Sequence, residues 1–513
     1  MILAVIMLAS ATLCTLATRD SSATDDEPAH IAAGYLKVAK GRFDFYNEQP
    51  PLVNTVSALP LMLGKYSLPP DWNEPNVNPW HFGKAFLYRS GNDADGILWR
   101  TRLPIVGLFV ILQLVVYAFA FELTQRAWAA LLATTLTAFC PNLLAHAGLA
   151  TVDLGAALFA LLAAFLFLRF LREPSTPRAI ASGFGFACAV LTKVSLMLLV
   201  PWAIVVATFF FFGERDRWAA RATYVLPRLL LIAVVALAAI DVFYLVEMRG
   251  GSPMAPFTEY GTSISTVFRW VSDAYAKPQF LLGRFSPTGW WYYYPVAIAL
   301  KTPLTTLVLM LAAFGAALAR PWRWGFDAAT IVLFVLMLLG VSCASSMNIG
   351  LRHVLPLYPF LYVLTAPVAL AAVRRWKRFA IVAVVLLCAG TVVSAALAFP
   401  NYIGYFNALV PARNADRYLI DSNLDWGQDL RRLGRFMDEK KIAKIHVWYF
   451  GGGDPTYTLG EKAIALTSCD AAEPGYYAIS RQYFRGNEKE CESAFRDARY
   501  VATVGSSILV FEK

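Results

Sequence analysis

Charged residues are scarce in this sequence. Asp, Glu, Lys and Arg make up only 16% of its 513 residues, whereas soluble domains keep about a quarter. Hydrophobic residues make up 58% of the chain, and its mean hydropathy is +0.52. This balance excludes an ordinary soluble protein and predicts that most of the chain is buried in lipid.

The sequence also lacks a continuous basic stretch, although its formal net charge is +10. Its Arg and Lys residues lie in short clusters between apolar runs, which is the pattern that orients helices in a membrane. We therefore expect membrane lipids, and not nucleic acid, as partners.

Cysteine is uncommon, and five of the seven cysteines lie in or beside apolar runs, as small buried hydrophobes do. Cys469 and Cys491 lie instead in the polar C-terminal segment. If that segment faces an oxidising compartment they can form a disulfide, but their spacing alone leaves pairing and free thiols both open.

Eleven apolar runs predict transmembrane helices, because the hydrocarbon core needs about 20 residues of helix. The fifth and sixth runs are continuous through Pro201 and would also allow one broken element. The first run lacks a basic region before it, which favours a retained helix over a cleaved signal peptide. The runs lie at 2–18, 103–121, 127–145, 153–171, 179–195, 196–213, 224–246, 292–319, 327–345, 353–373 and 379–399.

The basic clusters fall on alternate loops, so they share one side, the cytoplasmic side, when eleven spans are counted. The extracytoplasmic side then receives a first loop (19–102), a middle loop (247–291) and a tail. The expected fold is an all-α polytopic membrane protein of about eleven helices in the cell (inner) membrane, residues 1–399. A small extracytoplasmic α/β domain, residues 400–513, follows it.

Candidate reactive side chains begin just beyond the first span. Asp25, Asp26 and Glu27 are adjacent carboxylates that repel one another, so at least one is difficult to ionise unless something neutralises it. Such a cluster suits general-base catalysis or a cation site. The structural alternative is a helix start, with Asp25 as its cap and Pro28 in its first turn.

Two further acids precede apolar helical runs. Glu48 comes before Gln49 and a double proline that orients the polar side chains ahead of it, although a loop-to-helix junction explains the same residues. Asp153 heads the fourth span, where an acid is costly unless it is paired or solvated. It is therefore either a functional residue or a helix cap.

Four cationic or titratable side chains lie near the extracytoplasmic ends of predicted spans. They are Lys193, Lys301, Arg352 and His353. Snorkelling to the headgroups explains any one of them. Together at one face of a helix bundle, they could bind a lipid phosphate at membrane depth, where a phosphate needs compensating charge.

In their order along residues 1–400, these features resemble a known family. An acidic pair in the first external loop, a Pro-Pro-Leu turn, an Asp in the second such loop and Lys-Thr-Pro after a Tyr-rich stretch resemble the GT-C superfamily of glycosyltransferases. The resemblance is to family 39, of the protein O-mannosyltransferase and aminoarabinose transferase type. It implies inverting transfer of a sugar from a polyprenyl- or dolichyl-phosphate carrier to a protein, lipid or glycan acceptor, with metal dependence left open.

The resemblance also implies roles for individual residues. Asp26 would be the base that deprotonates the acceptor, with Glu27 as its partner, although the triple acid allows Asp25 in its place. Asp153 would shape the site. The carrier phosphate would be held by Lys301 and Arg352, with Lys193 and His353 as further candidates. Gln49 departs from the basic residue of aminoarabinose transferases, which argues against lipid A as acceptor.

The tail contains Asp421-Ser422-Asn423-Leu424-Asp425-Trp426-Gly427-Gln428-Asp429, which resembles a segment of bacterial relatives among the mannosyltransferases. Asp425 with Gln428 predicts a capping box that opens a helix over 427–440, and an acid-rich metal or sugar site is the alternative. The glycine-rich turn 451–453 is not a phosphate-binding loop, because no helix or Lys follows it in the right place.

A polytopic lipid or solute transporter is the alternative to an enzyme. Such transporters commonly show internal repeats and helices broken near the membrane midplane. Here the charges lie at one face beside large loops, which favours chemistry on that side.

The topology makes a testable prediction. Alkaline phosphatase, which is active only after export, should be active when fused after Lys513, because eleven spans place the tail outside the cytoplasm. An inactive fusion that is expressed at a normal level would contradict the count of eleven.

Overall fold

The structure is a computed structural model. It describes residues 1–46, 48–74, 76–212, 218–247, 261–262, 264–265, 278–319, 321–470 and 473–513. Most of the predicted middle loop, 247–291, lies outside the described residues, as do Arg215, Arg217 and Arg320 of the predicted basic clusters.

Long apolar helices dominate the described ranges, where seven are long and apolar enough to cross a membrane. Their outer surfaces expose large apolar side chains, such as Leu230, Leu237 and Leu386. Exposure of so much apolar surface to water is unfavourable, so this surface faces lipid. The polytopic membrane fold is confirmed. The seven are Ile2–Arg19, Ala94–Thr124, Asp153–Arg172, Val194–Phe211, Ala222–Tyr244, Trp324–Ala344 and Leu357–Ala398.

The α-helices of the described residues are numbered in chain order. They are α1 (Ile2–Arg19), α2 (Glu27–Lys40), α3 (Leu52–Ala58), α4 (Pro79–Tyr88), α5 (Ala94–Thr124), α6 (Ala127–Ala138), α7 (Pro141–Ala147), α8 (Asp153–Arg172), α9 (Thr176–Val190), α10 (Leu199–Phe212), α11 (Trp218–Glu247), α12 (Tyr293–Lys301), α13 (Leu304–Ala319), α14 (Pro321–Ala344), α15 (Leu357–Ala398), α16 (Leu430–Lys440), α17 (Pro455–Leu459), α18 (Arg481–Gly486) and α19 (Glu488–Ala494).

Breaks in the helices bend one predicted run and separate two pairs of neighbouring runs. The run 127–145 forms α6 and α7, which meet at a bend of 63°. The fifth and sixth runs separate between Val190 and Val194, ahead of Pro201, so they are two elements. The last two runs form α15, whose 42 residues are broken at Lys377, with φ 46° and ψ −123°. A continuous helix of that length would measure about 63 Å, twice the hydrocarbon core, so the break divides it into two segments.

The first loop folds into a small helical layer on the membrane helices. Its own hydrophobic core includes Leu36, Phe82 and Phe86. Helix α2 approaches α3 closely, because a Cβ atom on Gly34 would lie only 2.2 Å from the Asn54 carbonyl oxygen. This layer places the start of α2, with the predicted acids, over the ends of the membrane helices.

The tail contains the predicted α/β fold. Its strands form a five-stranded mixed sheet in the order β4-β3-β5-β7-β6. Strand β3 runs parallel to β4 and β5, whereas β7 is antiparallel to β5 and β6. A short hairpin, β1 and β2, precedes it in the chain. The strands are β1 (Gln279–Leu281), β2 (Arg284–Ser286), β3 (Ile445–Trp448), β4 (Ala463–Ala465), β5 (Tyr476–Ser480), β6 (Arg499–Val504) and β7 (Ile508–Glu512).

The tail contains a disulfide, and its residues belong to two different hydrophobic cores. Cys469 and Cys491 are bonded, with their Cα atoms 4.9 Å apart. The sheet's core begins at Leu430. Residues between 400 and 429, including Tyr402 and Trp426, belong instead to the core of the membrane helices. The first part of the tail is therefore packed into the membrane domain, ahead of the sheet.

Candidate functional site

Arg352 lies where three distant segments meet. Its guanidinium forms an ion pair with Asp26 of the first loop, and Nη1 lies 3.8 Å from Asp153 Oδ2. The ring of Trp426, from the tail, lies 4.4 Å from its Cζ atom. One cation is thus neutralised by two carboxylates and covered by an aromatic ring, which stabilises a charge that is largely removed from water.

Asp153 is a paired acid and not a helix cap. Val152 occupies the N-cap position of α8, and the Asp153 carboxylate receives a hydrogen bond of 2.8 Å from Lys193 Nζ. His146 Nδ1 lies 3.9 Å from its other oxygen. Lys193 reaches this acid because the chain breaks between α9 and the next helical turn. The sequence left function and capping open for Asp153. The structure excludes capping, and a functional role stays a prediction.

The acid cluster at the start of α2 divides into separate environments. Asp26, rather than Asp25, occupies the N-cap position, and its side chain makes no capping hydrogen bond. Capping by Asp25 was therefore wrong, and the Asp26 carboxylate is free to bind Arg352. Burial raises the pKa of Asp25 to about 6, and repulsion from the neighbouring Asp26 carboxylate adds to this rise.

Glu27 is fully committed to a buried ion pair. Its two oxygens accept hydrogen bonds from Arg102 at 2.7 and 2.8 Å, from the Ala150 amide at 2.9 Å and from the Thr24 amide at 2.9 Å. Arg102 also donates to carbonyls at the end of α1 and in the loop beyond it. Because no lone pair remains to accept a substrate proton, we assign Glu27 to structure. These contacts give no support to a catalytic role for Glu27, which stays a prediction.

Lys301 is also occupied. Its Nζ atom donates to the carbonyl oxygens of Ile403 at 2.8 Å and Asn423 at 2.5 Å, and it lies 4.6 Å from the centre of the Phe406 ring. These contacts attach the start of the tail to α12. These partners all belong to the protein and account for two of the three donors of the ammonium group, so phosphate binding by Lys301 stays a prediction.

Glu48 lies close enough to Asp26 for the two charges to interact. Burial raises the pKa of Glu48 to about 7, and repulsion from Asp26 adds to this rise. The double proline behaves as the predicted junction, since α3 begins directly after it. Beside this acid, Tyr46 packs edge-on against His30, whose Nδ1 atom lies 2.8 Å from Asn54 Oδ1.

Three buried nitrogen atoms around Arg352 have no hydrogen-bond partner among the described residues. They are Arg352 Nε, His353 Nε2 and His146 Nδ1. Buried polar atoms in folded proteins are nearly always paired, so an unpaired group calls for an explanation. Their grouping beside one guanidinium identifies a place where a polar ligand can supply the missing bonds.

The sequence did not single out His146 or Trp426, and it misplaced the helix after them. Helix α16 begins at Leu430 with Asp429 at its N-cap, so the predicted capping box of Asp425 and Gln428 is wrong. Asp425 instead accepts hydrogen bonds from the amides of Gly427 and Gln482. Burial raises the pKa of Asp421 to about 6, and the charge of Arg352 opposes this rise. In the described part of the chain, no three His, Cys, Asp or Glu side chains are grouped to hold a metal ion.

Comparison with known proteins bears on the membrane region and on the fold. A family model described as dolichyl-phosphate-mannose-protein mannosyltransferase matches residues 94–240. No curated protein matches the sequence.

Solved structures match over nearly the whole chain. ArnT from Cupriavidus metallidurans bound to undecaprenyl phosphate has 12% identity and a TM-score of 0.50, with 99% of this chain and 97% of that chain covered. The oligosaccharyltransferase of Archaeoglobus fulgidus tethered with an acceptor peptide has 12% identity and a TM-score of 0.50, with 99% and 73% covered. The GT-C resemblance is thus confirmed at the level of the fold.

The buried ion pair between Glu27 and Arg102 leads to a testable prediction. Glu27→Gln leaves Arg102 buried without its counter-charge, which typically costs about 3–5 kcal/mol. We expect a clearly lower thermal unfolding midpoint in detergent, with residual activity per folded molecule retained. Glu439→Gln, at an exposed position of α16, is the control and should leave the midpoint unchanged. A Glu27→Gln protein of normal stability that has lost its activity would return Glu27 to catalysis.

Proposed function

We propose that this GT-C-fold protein is an integral membrane glycosyltransferase that takes its sugar from a polyprenyl-phosphate carrier. The observation that carries the proposal is the cluster around Arg352. A cation, paired acids and unpartnered buried nitrogens lie together at one end of the membrane helices. A further support is that ArnT, which shares the fold, was solved with undecaprenyl phosphate bound.

The carrier phosphate would bind at Arg352 and His353. Arg352 Nε is a buried donor, and His353 Nε2 donates when that ring nitrogen carries the proton. Both lack partners in the described residues, and a phosphate oxygen accepts such bonds well. Lys193 balances the charge of Asp153, which would leave more of the positive charge of Arg352 for the phosphate. These contacts would stabilise the negative charge that grows on the phosphate as its bond to the sugar breaks.

Asp26 would act as the general base. It is the acid that contacts Arg352 without also being fully hydrogen-bonded, so one oxygen remains to accept a proton. The acceptor hydroxyl would attack the anomeric carbon, its proton would pass to Asp26, and the phosphate would leave with the electron pair of the broken bond. One displacement inverts the configuration, so no covalent sugar–enzyme intermediate forms.

The orientation of the site follows from the two ends of α8. Asp153, at the start of α8, belongs to the site. Arg172, at its other end, pairs with Glu122 and Asp327, about 30 Å away for a 20-residue helix. Because Arg clusters favour the cytoplasmic side, we propose that the site and the tail lie at the extracytoplasmic face of the cell membrane.

For the donor we favour a hexose such as mannose, linked to undecaprenyl or dolichyl phosphate. The matched family description names dolichyl-phosphate-mannose as the donor, which supports this choice. The acceptor would be a protein, lipid or glycan outside the cytoplasm. Purified protein incubated with undecaprenyl-phosphate-linked mannose and cell-envelope extract should release undecaprenyl phosphate and label an acceptor. Absence of release from a panel of lipid-linked hexoses and pentoses would contradict the proposal.

Asp26→Asn tests the base. The substitution keeps the size of the side chain but removes the charge that accepts a proton, so transfer should fall about 100-fold or more. Binding of undecaprenyl phosphate should change little, because Arg352 and His353 remain. Asp20→Asn, at an exposed acid whose surface ion pair contributes little, is the matched control. Wild-type transfer by Asp26→Asn would remove Asp26 from the mechanism, and the same change at Asp25 would then be tested.

Glu48 makes a prediction about pH. We expect its ionised form to accept a hydrogen bond from a sugar hydroxyl. Because the pKa of Glu48 is raised to about 7, the carboxylate forms as the pH rises through that value. Transfer should therefore increase between about pH 6 and 8. Glu48→Gln should lower transfer and abolish this step in the pH profile, whereas an unchanged profile would assign the step to another group.

A further inference from the structure

We infer that the tail positions Asp26 and Arg352 relative to each other. Residues 421–429 and the glycine turn 451–453 together form a clamp on the part of the first loop that carries Asp25 and Asp26. The clamp, as we name these two stretches, holds Asp26 and Arg352 at their present separation. This inference rests on the proposed function and concerns its positioning residues.

Backbone hydrogen bonds join the clamp to the loop that carries the acids. The Asp25 amide donates to the Trp426 carbonyl oxygen at 3.0 Å, and the Ser22 amide donates to that of Gln428 at 3.0 Å. The Ser22 hydroxyl accepts in turn from the Arg431 amide at 2.9 Å. Asp26 therefore follows directly after a residue whose main chain is fixed by the tail.

The glycine turn fits against the same loop without space for side chains. A Cβ atom on Gly452 would lie 2.1 Å from the Thr24 carbonyl oxygen and 2.8 Å from Pro28 Cδ. Lys84, from α4, donates to the Gly451 carbonyl oxygen at 2.8 Å and holds the turn in place. Any larger residue at 452 must push the tail away from the start of α2, because the atom it meets is backbone.

Trp426 supports the cation. It is only 1% exposed, and its ring packs over Arg352 and edge-on against His146, with ring centroids 5.8 Å apart. An aromatic face attracts a guanidinium and fixes its plane. Trp426 has no group that could accept a proton from a hydroxyl, so it acts through Arg352.

The clamp also holds the backbone just before Arg352. The Ser422 hydroxyl donates to the Ile349 carbonyl oxygen at 2.7 Å, and the Leu351 amide donates to Asn423 Oδ1 at 3.0 Å. Thus both partners of the Asp26–Arg352 ion pair are tied to one continuous segment of the tail. A shift of about 1 Å between catalytic groups can cost about 100-fold in rate, so such a tie matters for turnover.

The first test compares two glycine substitutions in the tail. Gly452→Ala should lower kcat for mannosyl transfer about 10- to 100-fold, while undecaprenyl phosphate binding stays within about 3-fold. Hydrogen exchange at the Ser22 and Asp25 amides should become faster. Gly486→Ala, where an added Cβ meets nothing within 4 Å, should match wild type in both measurements. Unchanged exchange and unchanged kcat in Gly452→Ala would overturn the inference.

The second test replaces the ring of Trp426 by an aliphatic and by a smaller aromatic side chain. Trp426→Leu should weaken undecaprenyl phosphate binding about 10-fold, since Arg352 loses the face that orients it, and Trp426→Phe should restore most of the binding. Equal binding by both variants and wild type would contradict the role of the ring. If the wild-type protein transfers no sugar but Gly452→Ala still speeds the exchange of the Asp25 amide, the proposed function fails while the clamp remains.

Discussion

A single buried guanidinium organises the site. Arg352 would be unstable at the edge of a membrane without compensation, and the chain supplies it from both sides through Asp26 and Asp153. The first of these acids comes from the first external loop, and the second heads a membrane helix. Both acids pair with the same cation, and this joins parts of the chain that are far apart in sequence.

A second buried pair stabilises the frame around that centre. Glu27 and Arg102 satisfy each other and the backbone at the end of α1. The acids of the first loop thus divide between two tasks, although they are adjacent in sequence. Glu27 is turned inward into a saturated network, whereas Asp26 is turned toward Arg352. The helical geometry at the start of α2 causes this division, because neighbouring residues there point in different directions.

The fold was accessible from the sequence because hydrophobic run length is a strong signal. The apolar runs predicted the membrane helices, and residues 400–513 were predicted to form a small α/β domain. The bend of 63° between α6 and α7 was not predicted, because 127–145 forms one apolar run, whereas the break at Lys377 falls between the predicted runs 353–373 and 379–399. The disulfide was left open for a similar reason, because sequence spacing carries no information on the distance between two Cα atoms.

The site was accessible only in part. Asp26, Asp153, Lys193 and Arg352 do meet, and each was singled out as a charge that a membrane edge does not tolerate alone. Glu27 and Lys301 carried the same signal but find their partners within the protein, and only coordinates distinguish such internally paired groups from available ones. Trp426 gave no signal, because an aromatic residue in a polar segment does not reveal that it will cover an arginine from another part of the chain.

The contact between Ser22 and Arg431 joins residues 409 positions apart, and it has a consequence for biosynthesis. A ribosome makes the acids of the first loop long before it makes the segment that fixes them. Until that segment emerges, the membrane helices can insert and pack while Asp26 and Arg352 lack their common support. Closing so long a stretch of chain is slow, so the site around Arg352 assembles only after residues 421–431 have been made.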